Sequence, residues 1–307
     1  MQRYIVRRTF WMLAILLGIS VVTFLLTVVM PSDPARVIAG PRAPKEVLEG
    51  IRHQWGLDQP VYVQYSRYMS RMLQGDWGRS FYLRIEVLPA ILQRVPATLQ
   101  LALAGTVLEV LLGIPVGLMS ALRPRSLFDR ASMLFSLFGV CTPGFVLGIL
   151  LLYYLGFRLD LFPLGGYGQL NQIVLPALTI GLAGGAWYAR ILRSSVLDIV
   201  NSDHVRTARA KGLPEHTVIR RHILRNALSP IVTMFGSDLG YFLGGVLVVE
   251  KVFAWPGIGL QAWTAIDYQD VPMIMGTVMF AAFFIVLANL LVDLAQAAVD
   301  PRVRLSA

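Results

Sequence analysis

The stretch TFWMLAILLGISVVTFLLTVVM, residues 9–30, places no charged side chain at any of its 22 positions. A hydrocarbon layer about 30 Å thick takes about 20 helical residues to cross, so this run is long enough to span a bilayer. Five further runs have the same character. Residues 97–122 carry only Glu109, residues 131–157 no charge, residues 227–249 only Asp238, and residues 271–292 none. The remaining run lies within residues 161–189 and is expected to be helical from Ile173 onward, because Pro163, Gly165, Gly166 and Gly168 read as a loop. Backbone groups in lipid must be satisfied within the segment, and none of these runs shows the two-residue alternation of barrel strands. The expectation is an all-α polytopic membrane protein with six transmembrane helices.

Composition agrees. Hydrophobic residues make up 56% of the chain, charged residues only 15%, and the mean hydropathy is +0.62, beyond what a soluble core requires. No repeat or low-complexity tract divides the chain. It reads as an amino-terminal cytoplasmic segment with the first helix (1–30), an extracytoplasmic insertion (31–96), and a core membrane domain (97–307) containing a cytoplasmic loop at 193–227.

The basic residues orient this arrangement. Arg3, Arg7 and Arg8, then Arg123, Arg125 and Arg130, then eight Lys or Arg between Arg190 and Arg225, and finally Arg302 and Arg304 fall on one side. That side is cytoplasmic by the positive-inside rule, which places both termini in the cytoplasm. The insertion at 31–96 holds nine basic residues but is 66 residues long, beyond the short loops that the rule counts. A cleaved signal peptide is the alternative for the first segment. Its uncharged run exceeds the roughly 7–15 residues of a signal core and no small-residue cleavage site follows, so it reads as a retained anchor.

The net charge of +9 invites a nucleic-acid reading, yet 16 of the 27 Lys and Arg lie where topology alone predicts them. No nucleic acid is expected. Cys141, the single cysteine, has no disulfide or metal-ligand companion and reads as packing. No phosphate loop, HExxH, GxSxG or Cys/His cluster occurs. The histidines (His53, His204, His216, His222) all lie outside the apolar runs. The chain is therefore expected to be no enzyme, to bind no metal or cofactor, and to draw any energy it uses from another subunit.

In the insertion, residues 62–73 show apolar and aromatic side chains at helical spacing, followed by GDWGRSF at 75–81, which reads as a turn. This region is either a lid over helix ends or a docking surface for an external partner. Within the membrane, Glu109 and Asp238 each cost about 2.5–3.5 kcal/mol near a helix centre on insertion scales. They read either as neighbours of a pathway, together with Tyr241, or as groups hydrogen-bonded to an adjacent helix. Gly236, Gly240 and Gly244 recur every four residues on one face and permit close helix approach. Gly113 with Gly117, Gly144 with Gly148, and Gly181 with Gly185 repeat that spacing.

The loop DHVRTARAKGLPEHTVIRRHILRN, residues 203–226, is more specific. Asn201, Ser202 and Asp203 supply amino-cap chemistry, Gly212 suits the left-handed position that ends a helix, and Pro214 with Glu215 opens a second helix. Ala208 and Ala210 keep the first helix slim while Arg206, Arg209 and Lys211 surround it with charge. A lipid-surface helix is the bland alternative. A slim helix with a fixed stop suits insertion into a groove on a partner.

The ARAKG core with the following HILRNALSP, residues 208–230, resembles the permease signature of bacterial ABC importers in the peptide and nickel subfamily. MPSDP (30–34), GLDQP (56–60), GDWGRSF, VVEKVFAWPGIG (248–259) and VDLAQAAVDPRVR extend the resemblance over nearly the whole chain. Where generic importers read Glu-Ala-Ala, Arg206, Thr207 and Ala208 stand here, similar to the peptide-type version.

The resemblance implies a type I ABC importer permease fold in the bacterial inner membrane, paired with a paralogous permease. It also implies two cytoplasmic ATPase subunits that bind ATP and Mg, and an extracytoplasmic substrate-binding protein. By position, Asp203, Arg206, Thr207, Ala208, Arg209, Ala210, Lys211, Gly212 and Leu213 would form the ATPase-coupling element. Cargo would be a short peptide, with glutathione, nickel or a metallophore as alternatives on the same architecture. A secondary transporter and a membrane anchor are the competing classes.

Overall fold

The computed structural model describes residues 2–29, 34–40, 42–243 and 246–299. Among them the chain is helical, with no strand and one isolated bridge between Arg79 and Glu86. Residues 30–33 of the MPSDP motif, Gly244, Arg302 and Arg304 lie outside the described residues.

The helices follow the chain as α1 (Gln2–Val29), α2 (Pro34–Ala39), α3 (Lys45–Trp55), α4 (Val61–Leu73) and α5 (Val87–Leu122). Next come α6 (Leu127–Cys141) and α7 (Gly144–Leu151), which continues as a π-helical turn through Arg158. After α8 (Val174–Val200) and α9 (Asp203–Ala210) come α10 (Glu215–Thr217), a π-helical turn and α11 (Arg225–Ala227). The chain then forms α12 (Ser229–Leu243), α13 (Leu247–Val252), α14 (Ile258–Asp267) and α15 (Val271–Val299).

Four segments are long and apolar enough to cross a membrane unbroken: Val6–Val28, Val87–Leu122, Leu170–Val200 and Val271–Leu294. The all-α membrane architecture is as expected, but six uninterrupted crossings are not found. The expected third crossing consists of Leu127–Cys141 and Gly144–Arg158, which meet at 106°. Thr142 between them is extended (φ −87°, ψ 119°), the conformation that Pro143 imposes on the residue before it. The expected crossing at 227–249 is also divided, because α12 has 15 residues and the next helix starts at Leu247. At 1.5 Å per residue α12 is about 22 Å long, short of a full hydrocarbon layer. A charge-free run measures apolarity, and does not measure helix continuity.

The chain forms two compact units. The first contains Met1–Leu99, Gly240–Lys251 and Pro256–Ala307. Here α1 packs along α15, tied by Arg8 Nη1 to Asp293 Oδ2 at 2.8 Å. Val87 and Ile91 of α5 form a core with Ile258, Met273, Ile274 and Phe280. Close approach in this unit also needs Gly240, where a Cβ would strike Ala288.

The second unit contains Gln100–Leu239 and Val252–Trp255. Its axis is α8, which buries Tyr188, Leu192 and Val196. A glycine seam joins α5 to α8: a Cβ on Gly113 or Gly117 would meet Tyr188 or Ala189, and one on Gly181 would meet Leu108. Gly139 of α6 packs on Ala186, and ten residues earlier Asp129 binds Arg193, so α6 and α8 run antiparallel.

Candidate coupling loop and intramembrane carboxylates

Residues 190–200, grouped with the loop on the strength of their charges, continue α8 to Val200. The turn after it is closed by the Ser202 hydroxyl, which donates to the Ile199 carbonyl at 2.6 Å. Ser202 occupies the cap position of α9, but its side chain makes no capping bond there.

α9 touches its own unit through Val205 and Ala208, the two residues it buries. They pack on Val218, Ile223 and Ala227 of the following helix and on Leu192 and Val196 of α8. Ala208 therefore works on the inner face of α9, where its small side chain lets the helix lie close. Asp203, Arg206, Thr207, Arg209, Ala210 and Lys211 are exposed. The outer face is thus mostly polar and carries the charges expected of it.

The helix stop is at the expected residue. Gly212 has φ +74°, its amide donates to the Arg209 carbonyl at 2.9 Å, and the Leu213 amide reaches the Ala208 carbonyl at 3.4 Å. These two bonds are the Schellman pattern that satisfies the last carbonyls of a helix. A Cβ on Gly212 would meet nothing within 4 Å, so the glycine is required by backbone conformation and not by crowding.

Arg209 has a role that its charge alone did not reveal. Its Nη2 donates to Glu215 Oε1 at 2.6 Å and its Nε to Glu215 Oε2 at 3.2 Å, a two-point brace across the Gly212 turn. The guanidinium holds the Glu215 carboxyl below its ordinary range. Arg206 makes only a 3.8 Å contact with Asp203, with both side chains largely in solvent.

Below the loop, Asp129 is buried and accepts from Arg193 Nε at 2.6 Å and Nη2 at 2.9 Å. It also accepts from the Ser120 hydroxyl at 2.5 Å and the Arg125 amide at 2.8 Å. This knot joins the ends of α5, α6 and α8. Sequence reasoning passed over it because its members are scattered in the chain, and a charge count assigned them to loops.

The intramembrane carboxylates have different surroundings. Asp238 accepts from the Tyr188 hydroxyl at 2.6 Å, which is the helix-to-helix bond weighed against a pathway role. Glu109 is 2% exposed, lies against Gly184, and its Oε2 has no partner among the described residues. Tyr241 is 62% exposed, and Gly236 is half-buried. Among the described residues no group of three or more His, Cys, Asp or Glu is placed to hold a metal ion.

GDWGRSF and the two ends of VVEKVFAWPGIG, residues 248–251 and 256–259, belong to the first unit. Glu250 is fully buried, accepting from Thr98 Oγ1 and the Leu260 amide, both at 2.9 Å. Thr98 Oγ1 in turn accepts from the Ile258 amide at 2.9 Å, so Thr98 and Glu250 together cap the start of α14. Asp270 binds the Ser80 hydroxyl and accepts from the Phe81 amide at 3.0 Å.

Residues 113–305 match the family described as binding-protein-dependent transport system inner membrane component, and residues 1–102 match its amino-terminal region. The chain is 40% identical over 304 residues to the glutathione transport system permease protein GsiC of Escherichia coli (strain K12). The same figures hold for the protein of that name from Salmonella paratyphi A (strain ATCC 9150 / SARB42); each alignment covers 99% of this chain and 99% of the relative. Among solved structures, an amino acid ABC transporter crystallised with histidines gives a TM-score of 0.53 at 18% identity, over 70% of this chain and 94% of that one. An inward-facing MetNI methionine ABC transporter gives 0.53 at 20% identity, over 72% of this chain and 98% of that one. Likeness at these identities establishes the fold, that of type I ABC importer permeases.

Proposed function

The chain belongs to the family of binding-protein-dependent transport system inner membrane components, and we propose that the cargo it passes is a short peptide of the size and chemistry of glutathione. The chain is a multi-pass inner-membrane permease subunit of an ATP-driven importer, a transport component and not an enzyme. Its system includes ATPase and substrate-binding partners. The observation that carries the cargo reading is 40% identity, over 99% of both chains, to relatives named for glutathione transport.

In this reading a paralogous permease completes the pathway and two ATPase subunits bind ATP and Mg. Both termini face the cytoplasm. Asp203 to Leu213 form the element that enters an ATPase groove, with the outer face of α9 toward the partner and Val205 and Ala208 toward the permease body. Val205, Ala208, Val218 and Ile223 transmit movement of α9 to α8, because they share one core with Leu192 and Val196. Nucleotide and loaded binding protein must each favour one state of the permease to shift its population. Asp238 and Tyr241 are the pathway candidates with accessible surface, while the burial of Glu109 against Gly184 suits a helix seam.

The test is uptake by the complete importer, reconstituted in proteoliposomes with its own binding protein. ATP-dependent accumulation of labelled glutathione or a tripeptide is expected. Uptake of chelated nickel with no peptide uptake would overturn the cargo reading, and uptake by this chain alone under a proton gradient would overturn the mechanism.

A further inference from the structure

In the second unit, α6 and α8 flank a cavity of about 650 Å3. Three arginines reach it: Arg130 from the first turn of α6, and Arg190 and Arg193 one turn apart on α8. Arg193 is already neutralised by Asp129. Arg130 and Arg190 are exposed, and neither side chain has an acceptor among the described residues. Arg190 lies toward the carboxyl-terminal, basic end of Leu170–Val200, whose 31 residues exceed the roughly 20 that cross hydrocarbon, and a long guanidinium side chain there reaches toward the headgroups.

The same cavity is lined on the α6 side by Met133, Leu134 and Leu137, which are 53%, 59% and 55% exposed. With Arg130 they follow the spacing i, i+3, i+4, i+7, so one face of α6 carries a cation at its first turn and an apolar stripe beyond it. Buried Ser132 adds a polar group beside that stripe. A cationic head region continuous with an exposed apolar strip, on a helix apolar enough to belong to a membrane span, matches one molecule with an anionic end and an acyl chain. Free phosphate would use the arginines and leave the strip uncovered.

We propose that this cavity binds an anionic phospholipid, with its phosphate between Arg130 and Arg190 and an acyl chain along Met133, Leu134 and Leu137. Basic pockets between membrane helices bind anionic headgroups, and a Lys or Arg near an anionic leaflet favours binding about fivefold. The site is independent of the cargo reading, since its residues are distinct from Asp238, Tyr241 and the α9 surface.

The experiment uses the complete importer, reconstituted in nanodiscs of phosphatidylcholine doped with phosphatidylglycerol, then re-extracted and its retained lipid counted by native mass spectrometry. Retention of phosphatidylglycerol over phosphatidylcholine is expected, reduced about thirtyfold in the Arg130→Gln/Arg190→Gln double variant and largely preserved in Arg130→Lys/Arg190→Lys. A thermal unfolding midpoint measured on each variant separates lost binding from lost fold; if the Gln pair fails to fold, Leu134→Glu, which blocks the acyl strip alone, is expected to lower retention instead. Equal retention of both lipids by the native protein, or undiminished retention in a folded Gln pair, would overturn the proposal. Full displacement of phosphatidylglycerol by inorganic phosphate would assign the site to a free anion and overturn the lipid reading as well.

Discussion

Glu250 of VVEKVFAWPGIG and Asp270, which holds GDWGRSF, in the first unit, and the α9 loop of the second all serve motifs that resemble the importer family, yet they use charge in opposite ways. Glu250 and Asp270 are 0% and 1% exposed, and each accepts two or more hydrogen bonds from its own unit. In the loop, Arg206 and Lys211 stand in solvent, and only Arg209 is committed, to Glu215. A motif whose polar atoms are consumed internally maintains the fold. A motif whose polar atoms are left outward is available to another molecule.

The largest expected effect comes from the more deeply buried of the two anchors. Glu250→Ala strands the Thr98 hydroxyl and the Leu260 amide in a buried site and is expected to lower stability by about 3 kcal/mol, read from thermal unfolding in detergent. Burial pushes the Glu250 carboxyl above its ordinary value, against the lowering effect of the Leu260 amide and the Thr98 hydroxyl. Its contribution is therefore fully present below the ordinary carboxylate range and is lost as pH rises through the raised folded value. Glu250→Gln, which cannot ionise, is expected to flatten that part of the stability profile; an unchanged slope would mean that the carboxyl does not titrate there.

Asp270→Asn comes next. It weakens the hold on Ser80 and Phe81 and is expected to cost about 1–2 kcal/mol, with faster hydrogen exchange at Phe81 and Tyr82 while α9 amides are unaffected. Spread of the effect to α9 would show that the anchor and the loop are one cooperative element.

Gly212→Trp should divide stability from function. The left-handed backbone at φ +74° costs a non-glycine residue about 1–2 kcal/mol, and no atom lies within 4 Å to clash with a Cβ. A small drop in unfolding midpoint is expected beside loss of ATP-driven uptake and of ATPase binding in pull-down. Normal uptake would remove the coupling role from this turn.

The smallest effect is expected from Glu215→Gln, because the brace is solvent-exposed. Arg209 lowers the Glu215 carboxyl, so the native brace persists above the ordinary carboxylate range and is lost as pH falls through the lowered value. Limited proteolysis at 211–214 should be faster in the variant at neutral pH and equal to native at low pH. The exchanged pair Arg209→Glu/Glu215→Arg should restore resistance.

Much of the loop was legible from residues 201–215. The Gly212 stop, the Pro214 start and the charged outer face are local consequences of backbone freedom and side-chain chemistry, and these are fixed by neighbours in the chain. The inward use of Ala208 was not legible, since both alanines of the helix read alike until α9 met Val218 and Ile223. The break at Thr142–Pro143 was written in the sequence but outweighed by a run without charge. Asp129, Asp238, Glu250 and Asp270 each have a partner 64, 50, 152 and 190 residues away respectively, and no spacing rule reaches that far.

The sequence by itself determined that this chain is an all-α membrane protein with a basic, glycine-stopped loop and the motifs of an importer permease, because apolar length, charge asymmetry and turn chemistry act locally. Tertiary structure alone decided which charges are spent and which remain free, because the donors that satisfy Asp129, Glu250 and Asp270 come from positions distant in the chain.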